Sequence, residues 1–277
     1  MIHLFALLSL LLCGVCYTGF QNSSHFHNTS NRRSLLLLVF GGALLLRLLL
    51  AYTTHGFSND IACFAAWADR IFTLGPGQFY SAEMFTDYPP GFMYVLYLIG
   101  ALRSLLQIPY YSDLHILLLK SPAILCDIAC GFLLYREAVK RLHFSDLQGI
   151  FAASAYLFQP AVILNSSCWG QVDSVYTLMI ILMCLFLMKG NLLPAYAVYG
   201  LGVLLKPQML IFTPVLLAGI WDHVFLQDFS WRKFFYNLCG GLVVICGMLL
   251  LCAPFGLTAA ISQYTSTLGS YEYAAIN

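Results

Sequence analysis

The amino-acid sequence predicts an all-α protein, a polytopic bundle of transmembrane helices. Its 277 residues are 60% hydrophobic and only 9% charged, with a mean hydropathy of +0.80, far outside the range of soluble domains. The apolar residues fall in long runs, and backbone groups in lipid are satisfied only inside helices or closed barrels. Thirteen Lys and Arg against 12 Asp and Glu leave a net charge of +1. No basic field exists to attract nucleic acid, so that partner class is excluded.

The first run, 2–19, has neither a charged leading segment nor a clear small-residue cleavage site, so it reads as a helix in preference to a signal peptide. Residues 1–34 form an N-terminal apolar segment with a polar linker, and the core occupies 35–277. Its runs lie at 35–52, 89–106, 115–135, 147–165, 174–188, 192–205, 209–225 and 234–253. A hydrocarbon layer of about 30 Å takes around 20 residues per helix, so eight or nine spanning helices are expected.

The positive-inside rule puts Arg32 and Arg33 in the cytoplasm and the long polar loop 53–87 outside. Arg136, Lys140, Arg141 and His143 form a second cytoplasmic anchor, followed by Lys189 and by Arg232 with Lys233. Alternation then places 165–174, 206–208 and 256–277 outside. One parity conflict remains. Passing from Asp87 outside to Arg136 inside needs an odd number of crossings, yet two runs intervene, so one run is re-entrant or the charge rule fails locally.

Of the ten cysteines, Cys126, Cys130, Cys184, Cys239, Cys246 and Cys252 sit in apolar runs and read as small hydrophobes. Cys13 and Cys16 have CxxC spacing without the strand and helix context of a redox motif. Asn22, Asn28 and Asn165 head glycosylation sequons, which are common by chance.

Charges at the membrane border are costly, so each is a candidate for function. Between Leu147 and Trp221 the charged residues are Asp173, Lys189 and Lys206, and Lys189 is explained as a topology anchor. Lys206, before Pro207 and Gln208, is either a snorkelling helix-end lysine or a cation held for a ligand. The stretch from Asn165 to Ser174 packs an indole (Trp169), two amides (Asn165, Gln171) and a carboxylate (Asp173) into one helix boundary. It reads equally as a sugar-holding cluster or as an interfacial tryptophan beside a helix cap.

In the outer loop, Ile61, Phe64, Trp67 or Ala68, and Ile71 have the spacing of an amphipathic helix lying on the membrane. Asn59 and Asp60 stand near its start, and Asp69 with Arg70 reads as a surface pair. The segment Asp87, Tyr88, Pro89, Pro90, Gly91 is a stiff lead-in to the next helix. Lys120 and Asp127 share a helix face two turns apart and are expected to pair with each other.

These stretches, in this order, resemble the GT-C superfamily of polytopic glycosyltransferases, specifically the bacterial proteins related to the second mannosyltransferase of GPI-anchor synthesis. The matching stretches are Asn59 to Phe64 with Trp67 and Ala68, Gly75 to Tyr80, Asp87 to Gly91, Lys120 to Asp127, Asn165 to Ser174, and Leu205 to Gln208. The resemblance implies an inverting transferase that moves a sugar, mannose first, from a polyprenyl-phosphate donor to a glycan or lipid-linked acceptor on the outer or luminal face. It implies Asp60 as the general base, with Asn59, Asp87, Tyr88, Trp169, Gln171, Asp173, Lys206 and Gln208 binding substrate. A carboxylate can take the proton an acceptor hydroxyl loses as it attacks the anomeric carbon, and a cation such as Lys206 can support the departing lipid phosphate.

No Asp-x-Asp occurs, which disfavours a nucleotide-sugar donor while leaving open a divalent ion, Mg or Mn, on separate carboxylates such as Asp60 and Asp87. Full-length relatives continue for several more helices, so the stop at Asn277 predicts a C-terminally truncated chain. The bacterial inner membrane is the expected location, with the endoplasmic reticulum as the alternative. A transporter or lipid flippase would instead show ionisable groups at the midplane and an internal repeat. An inactive membrane scaffold is the third reading.

Overall fold

The computed structural model of the chain describes residues 9–12, 14–19, 32–80, 85–227 and 229–262, and among these every regular element is a helix. The main ones are α1 (Arg32–Thr53), α2 (Ser58–Leu74), α3 (Pro90–Leu105), α4 (Asp113–Lys140), α5 (Asp146–Leu157), α6 (Asp173–Met188), α7 (Leu192–Leu205), α8 (Thr213–Trp221) and α9 (Trp231–Cys252). Much of the first run, the sequons at Asn22 and Asn28, Cys13 and the stretch 271–277 lie outside the described residues.

Four stretches are long and apolar enough to cross a membrane: α1, α4, Pro207–Leu226 around α8, and Trp231–Phe255 around α9. Their outer faces are apolar. Leu37 and Leu38 of α1 are 75% and 71% exposed, and Leu250 of α9 is 72% exposed. Stripes of that kind need lipid tails as their solvent. The chain is therefore an all-α polytopic membrane bundle. Helices α3, α6 and α7 have 16, 16 and 14 residues. At 1.5 Å per residue they reach only about 21–24 Å, short of the roughly 30 Å hydrocarbon layer.

The run expected as one helix over 147–165 is broken. Helix α5 ends at Leu157, and Pro160–Trp169 continues at an angle of 51°. Pro160 lacks the N–H that would continue the ladder and disfavours helical geometry at Gln159 before it. Helix α4, by contrast, runs unbroken through Pro122. The Leu118 carbonyl that Pro122 leaves without a backbone partner accepts the Ser121 hydroxyl at 2.7 Å.

The chain forms two compact units, residues 1–62 with 109–178, and residues 63–108 with 179–277. In the first, Ala43, Tyr135, Ile150, Ala153 and Leu157 make the core between α1, α4 and α5. A Cβ on Gly131 would lie 2.6 Å from a Leu157 methyl, so a larger residue there would displace the Leu157 side chain from between α4 and α5. Arg32 at the start of α1 bonds Tyr135 near the end of α4 and Asp146 at the start of α5. At the other end of α1, Thr54 meets Lys120. Helix α4 therefore runs antiparallel to α1, toward the end that carries Arg32, Arg136 and Lys140. Of the two runs in the parity conflict, α4 is long and apolar enough to span and runs toward Arg136, whereas α3 has 16 residues.

In the second unit, Met183, Leu192, Ala195, Tyr196, Met209, Leu216 and Val224 form the core. The apolar stripe of α2 does not lie on lipid as expected. Phe64, Trp67, Ala68 and Ile71 are at most 2% exposed, with Phe64 against Phe92 and Trp67 against Tyr88. Nor do Asp69 and Arg70 form a surface pair. Asp69 pairs with Arg103 of α3, and Arg70 donates to the carbonyls of Phe79 and Gln78 at 2.9 and 3.0 Å. Helices α7 and α9 start together near His223 and run parallel, Gly240 beside Leu193 and Gly200 beside Met248.

Candidate functional site

The first unit gathers polar groups at the end of α1 opposite Arg32. The chain leaves α1 through Gly56, whose φ of +80° is left-handed, and Phe57 then donates its N–H to the Trp169 carbonyl at 2.9 Å. Helix α2 begins at once, which puts Asp60 in its first turn, where the helix dipole favours a carboxylate. Opposite it, the π-helical turn Leu164–Trp169 ends at Gly170, with φ +90°. A Cβ on Gly170 would fall 2.5 Å from the Ile61 Cδ1 methyl, so glycine is needed both for the turn and for the close approach to α2.

This local geometry delivers two donors to one oxygen. The Trp169 indole N–H and the Gln171 amide donate to Asp60 Oδ2 at 2.9 and 2.5 Å. Among the described residues no hydrogen bond reaches Asp60 Oδ1. The Trp169 ring is half exposed and packs on Phe57 with 5.3 Å between centroids. Beyond it, Asp173 at the start of α6 accepts from the Asn165 amide at 2.9 Å. Trp169, Gln171 and Asp60, all selected from the sequence, come together, and Asp173 lies next to them as a helix-start carboxylate.

The segment carrying Trp169 and Gln171 is held from beneath by Asp127, fully buried in α4. Asp127 Oδ2 accepts from Arg47 Nε at 3.1 Å and Ser166 Oγ at 2.6 Å, and Oδ1 from Ser174 Oγ at 2.5 Å and Tyr156 OH at 3.1 Å. Ser166 and Ser174 bracket the Trp169 turn, so one carboxylate pins both of its ends. The expected pairing of Lys120 with Asp127 is not formed. Lys120 Nζ donates to the Ala51 and Thr54 carbonyls at 3.2 and 2.7 Å and to Thr54 Oγ1 at 3.1 Å, capping the C-terminus of α1. Arg47 takes the carboxylate because it lies deeper on α1, beside Ala43 and away from the carbonyl-rich helix end. The sequence motifs do not include Arg47, although a lone cation within the leucine-rich α1 run marks it.

The second unit holds the other matched residues at the end opposite Lys189 and Arg232. Lys206 sits in extended backbone between α7 and the turn Pro207–Phe212, 9% exposed, with Nζ 5.8 Å from the Tyr88 ring centroid. Tyr88 packs on Phe64, Trp67 and Phe92, and its carbonyl accepts the Tyr80 hydroxyl at 3.0 Å. Burial pushes the Tyr80 phenol well above its usual pKa. Gly91 is pressed on the Leu204 carbonyl, 2.6 Å from where a Cβ would stand, which fixes Tyr88 against Lys206. Asp87 is half-buried beside the fully buried Thr86. Asn59 and Gln208 are exposed, and among the described residues neither side chain is hydrogen bonded.

Among the described residues no three His, Cys, Asp or Glu side chains converge as ligands for a metal ion. The groups around Asp60 Oδ2 are N–H donors, which repel a cation, so this donor set does not fit a divalent ion at that oxygen. No disulfide joins the described cysteines. Compared with models of known protein families and with curated proteins, the chain matches none.

Proposed function

We propose that the chain is a membrane-embedded inverting glycosyltransferase of GT-C type, which moves mannose from a polyprenyl-phosphate donor to a glycan or lipid-linked acceptor. One observation carries the reading. Asp60, in the first turn of a helix at a bundle end, is oriented by an indole and an amide on one oxygen while the other is left for a proton. An orienting group behind a carboxylate is what a general base needs, since proton transfer demands hydrogen-bond distance before it demands a tuned pKa.

In this account the acceptor hydroxyl approaches Asp60 Oδ1. Its oxygen bonds to the anomeric carbon as the bond to the lipid phosphate breaks, the proton passes to Asp60, and polyprenyl phosphate departs as an anion. The half-exposed Trp169 ring offers the apolar platform on which a sugar face stacks, and Gln171, Asn165 and Asp173 supply polar groups for hydroxyls. Lys206, held over the Tyr88 ring, supplies a cation of the kind a phosphate leaving group requires. In each unit the cluster lies at the end opposite the basic anchors, as chemistry on the outer face demands. The bacterial inner membrane is the favoured site, with the endoplasmic reticulum as the alternative.

A transporter reading draws on one feature, the buried charges Arg47, Lys120 and Asp127. Asp127 accepts four hydrogen bonds and Lys120 caps α1, which is the behaviour of structural groups. The stereochemistry of transfer tests the proposal: with polyprenyl-phosphate mannose of known anomeric configuration, the product linkage read by NMR is inverted. A retained linkage rejects the single-displacement mechanism, and uptake of sugar without any transfer favours the transporter.

A further inference from the structure

At the basic end of the second unit a cavity of about 740 Å³ opens where α7 and α9 begin, lined by His223, Arg232, Lys233, Asn191 and Tyr236. Lys206 and Tyr88, the candidate residues of this unit, lie at its opposite end and do not line this cavity. Lys233 donates to the Gln227 carbonyl at 3.1 Å, and among the described residues the lining carries three basic side chains and no acidic one. Above it, between α7, α8 and α9, runs an apolar groove of about 390 Å³ whose walls include Leu216, Phe234, Leu238, Gly241, Val244 and Met248.

Asn237 lines both spaces. Its amide donates to the Lys233 carbonyl at 2.8 Å and its oxygen accepts the Tyr196 hydroxyl at 3.4 Å, so the join between cavity and groove is a fixed polar collar. A cationic chamber at the membrane border that continues into an apolar slot has the shape and charge of one molecule. We infer that this is a binding site for an anionic phospholipid, with the phosphate among His223, Arg232 and Lys233 and an acyl chain in the groove beside Gly241. Charge complementarity selects an anionic headgroup over a zwitterionic one, and positive-inside orientation puts the cavity at the leaflet where anionic lipids face basic pockets. The site does not depend on the transferase reading.

The test is native mass spectrometry of the purified full chain titrated with phosphatidylglycerol, and in parallel with phosphatidylcholine of the same chains and with inorganic phosphate. Phosphatidylglycerol is expected to bind in preference to phosphatidylcholine. Arg232→Gln and Lys233→Gln should each weaken it about fivefold, and together about thirtyfold, at roughly the strength of one basic side chain per anionic headgroup. Gly241→Trp provides an independent arm. A Cβ there meets nothing within 4 Å and Gly241 lines the groove, so a variant whose circular dichroism matches the parent's should lose phosphatidylglycerol but keep any response to phosphate. Equal affinity for the two lipids, full affinity in the double variant, or unchanged binding in Gly241→Trp overturns the inference. So does a dimer that Gly241→Trp disrupts, since a second copy would then be the occupant.

Discussion

Replacing Asp127 by Asn tests the structural logic beneath the site. The side chain keeps its size but loses its charge, and Arg47, 0% exposed, is left as an uncompensated buried cation. Breaking a buried pair in this way costs about 3–5 kcal/mol. At roughly 2–4 °C per kcal/mol for a unit of 150–250 residues, the melting midpoint should fall by about 10 °C. The double variant Arg47→Met with Asp127→Leu removes both charges and fills the space with apolar atoms, and it should recover at least half of the loss. Thermal unfolding of the purified chain in detergent, followed by circular dichroism, gives all the midpoints. A midpoint for Asp127→Asn within a degree or two of the parent, or a double variant no better than the single one, would refute the reasoning. A further consequence follows from Ser166 and Ser174. Both ends of the Trp169 turn loosen in Asp127→Asn, so transfer activity should drop even at temperatures where the protein remains folded.

Four other outcomes are expected. Trp169→Phe keeps the ring on Phe57 and removes one N–H from Asp60; a hydrogen bond to a charged group is worth about 1.5–3 kcal/mol, so transfer should slow by at least tenfold in kinetic assays. Gly170→Ala forces a side chain into the left-handed region and against Ile61, and a fall in melting midpoint together with lost Trp169 fluorescence environment should report it. Lys120→Met strips the cap from α1 and should destabilise by about 3 kcal/mol in the same thermal assay, while Asp127→Asn and Lys120→Met together should cost close to the sum, since the two charges serve different partners. Tyr80 is held protonated by burial, so its folded pKa lies above the unfolded value of 10.0; its contribution to stability is present at neutral pH and fades as the pH climbs beyond about 10, and Tyr80→Phe should flatten that loss in pH-dependent melting.

Helix positions are the most legible part of the fold, because runs such as 35–52 and 234–253 are apolar but for Arg47 and Asn237, and lipid imposes helical hydrogen bonding on them. Their breaks were less visible. Pro122 and Pro160 carry the same local signal, yet α4 runs through one, with the Ser121 hydroxyl on the Leu118 carbonyl, while the chain bends by 51° at the other. In the candidate site, Asp60, Trp169 and Gln171 were read from polar residues at membrane borders, and their meeting depends on Gly56 and Gly170, whose positive φ no spacing rule reveals. The partners of the buried charges are not legible from spacing along one helix. Lys120 and Asp127 share a face of one helix, but each finds better geometry across to α1, the lysine at its carbonyl end and the aspartate at Arg47. The amphipathic stripe of α2 was legible as a stripe, whereas what covers it was not, since Phe92 and Tyr88 arrive from a segment more than a dozen residues away.

The central claim is that Asp60 takes the acceptor proton in a lipid-linked sugar transfer. The most direct measurement is the rate of radiolabelled mannose transfer from polyprenyl-phosphate mannose in membranes holding equal amounts of the parent protein and of Asp60→Asn. Loss of a general base should lower that rate by about 10²–10⁴-fold while the Trp169 and Gln171 amide and indole contacts keep the fold intact. Full transfer by Asp60→Asn would contradict the assignment of the base, and absence of transfer by the parent protein from every polyprenyl-phosphate sugar offered would contradict the reaction itself.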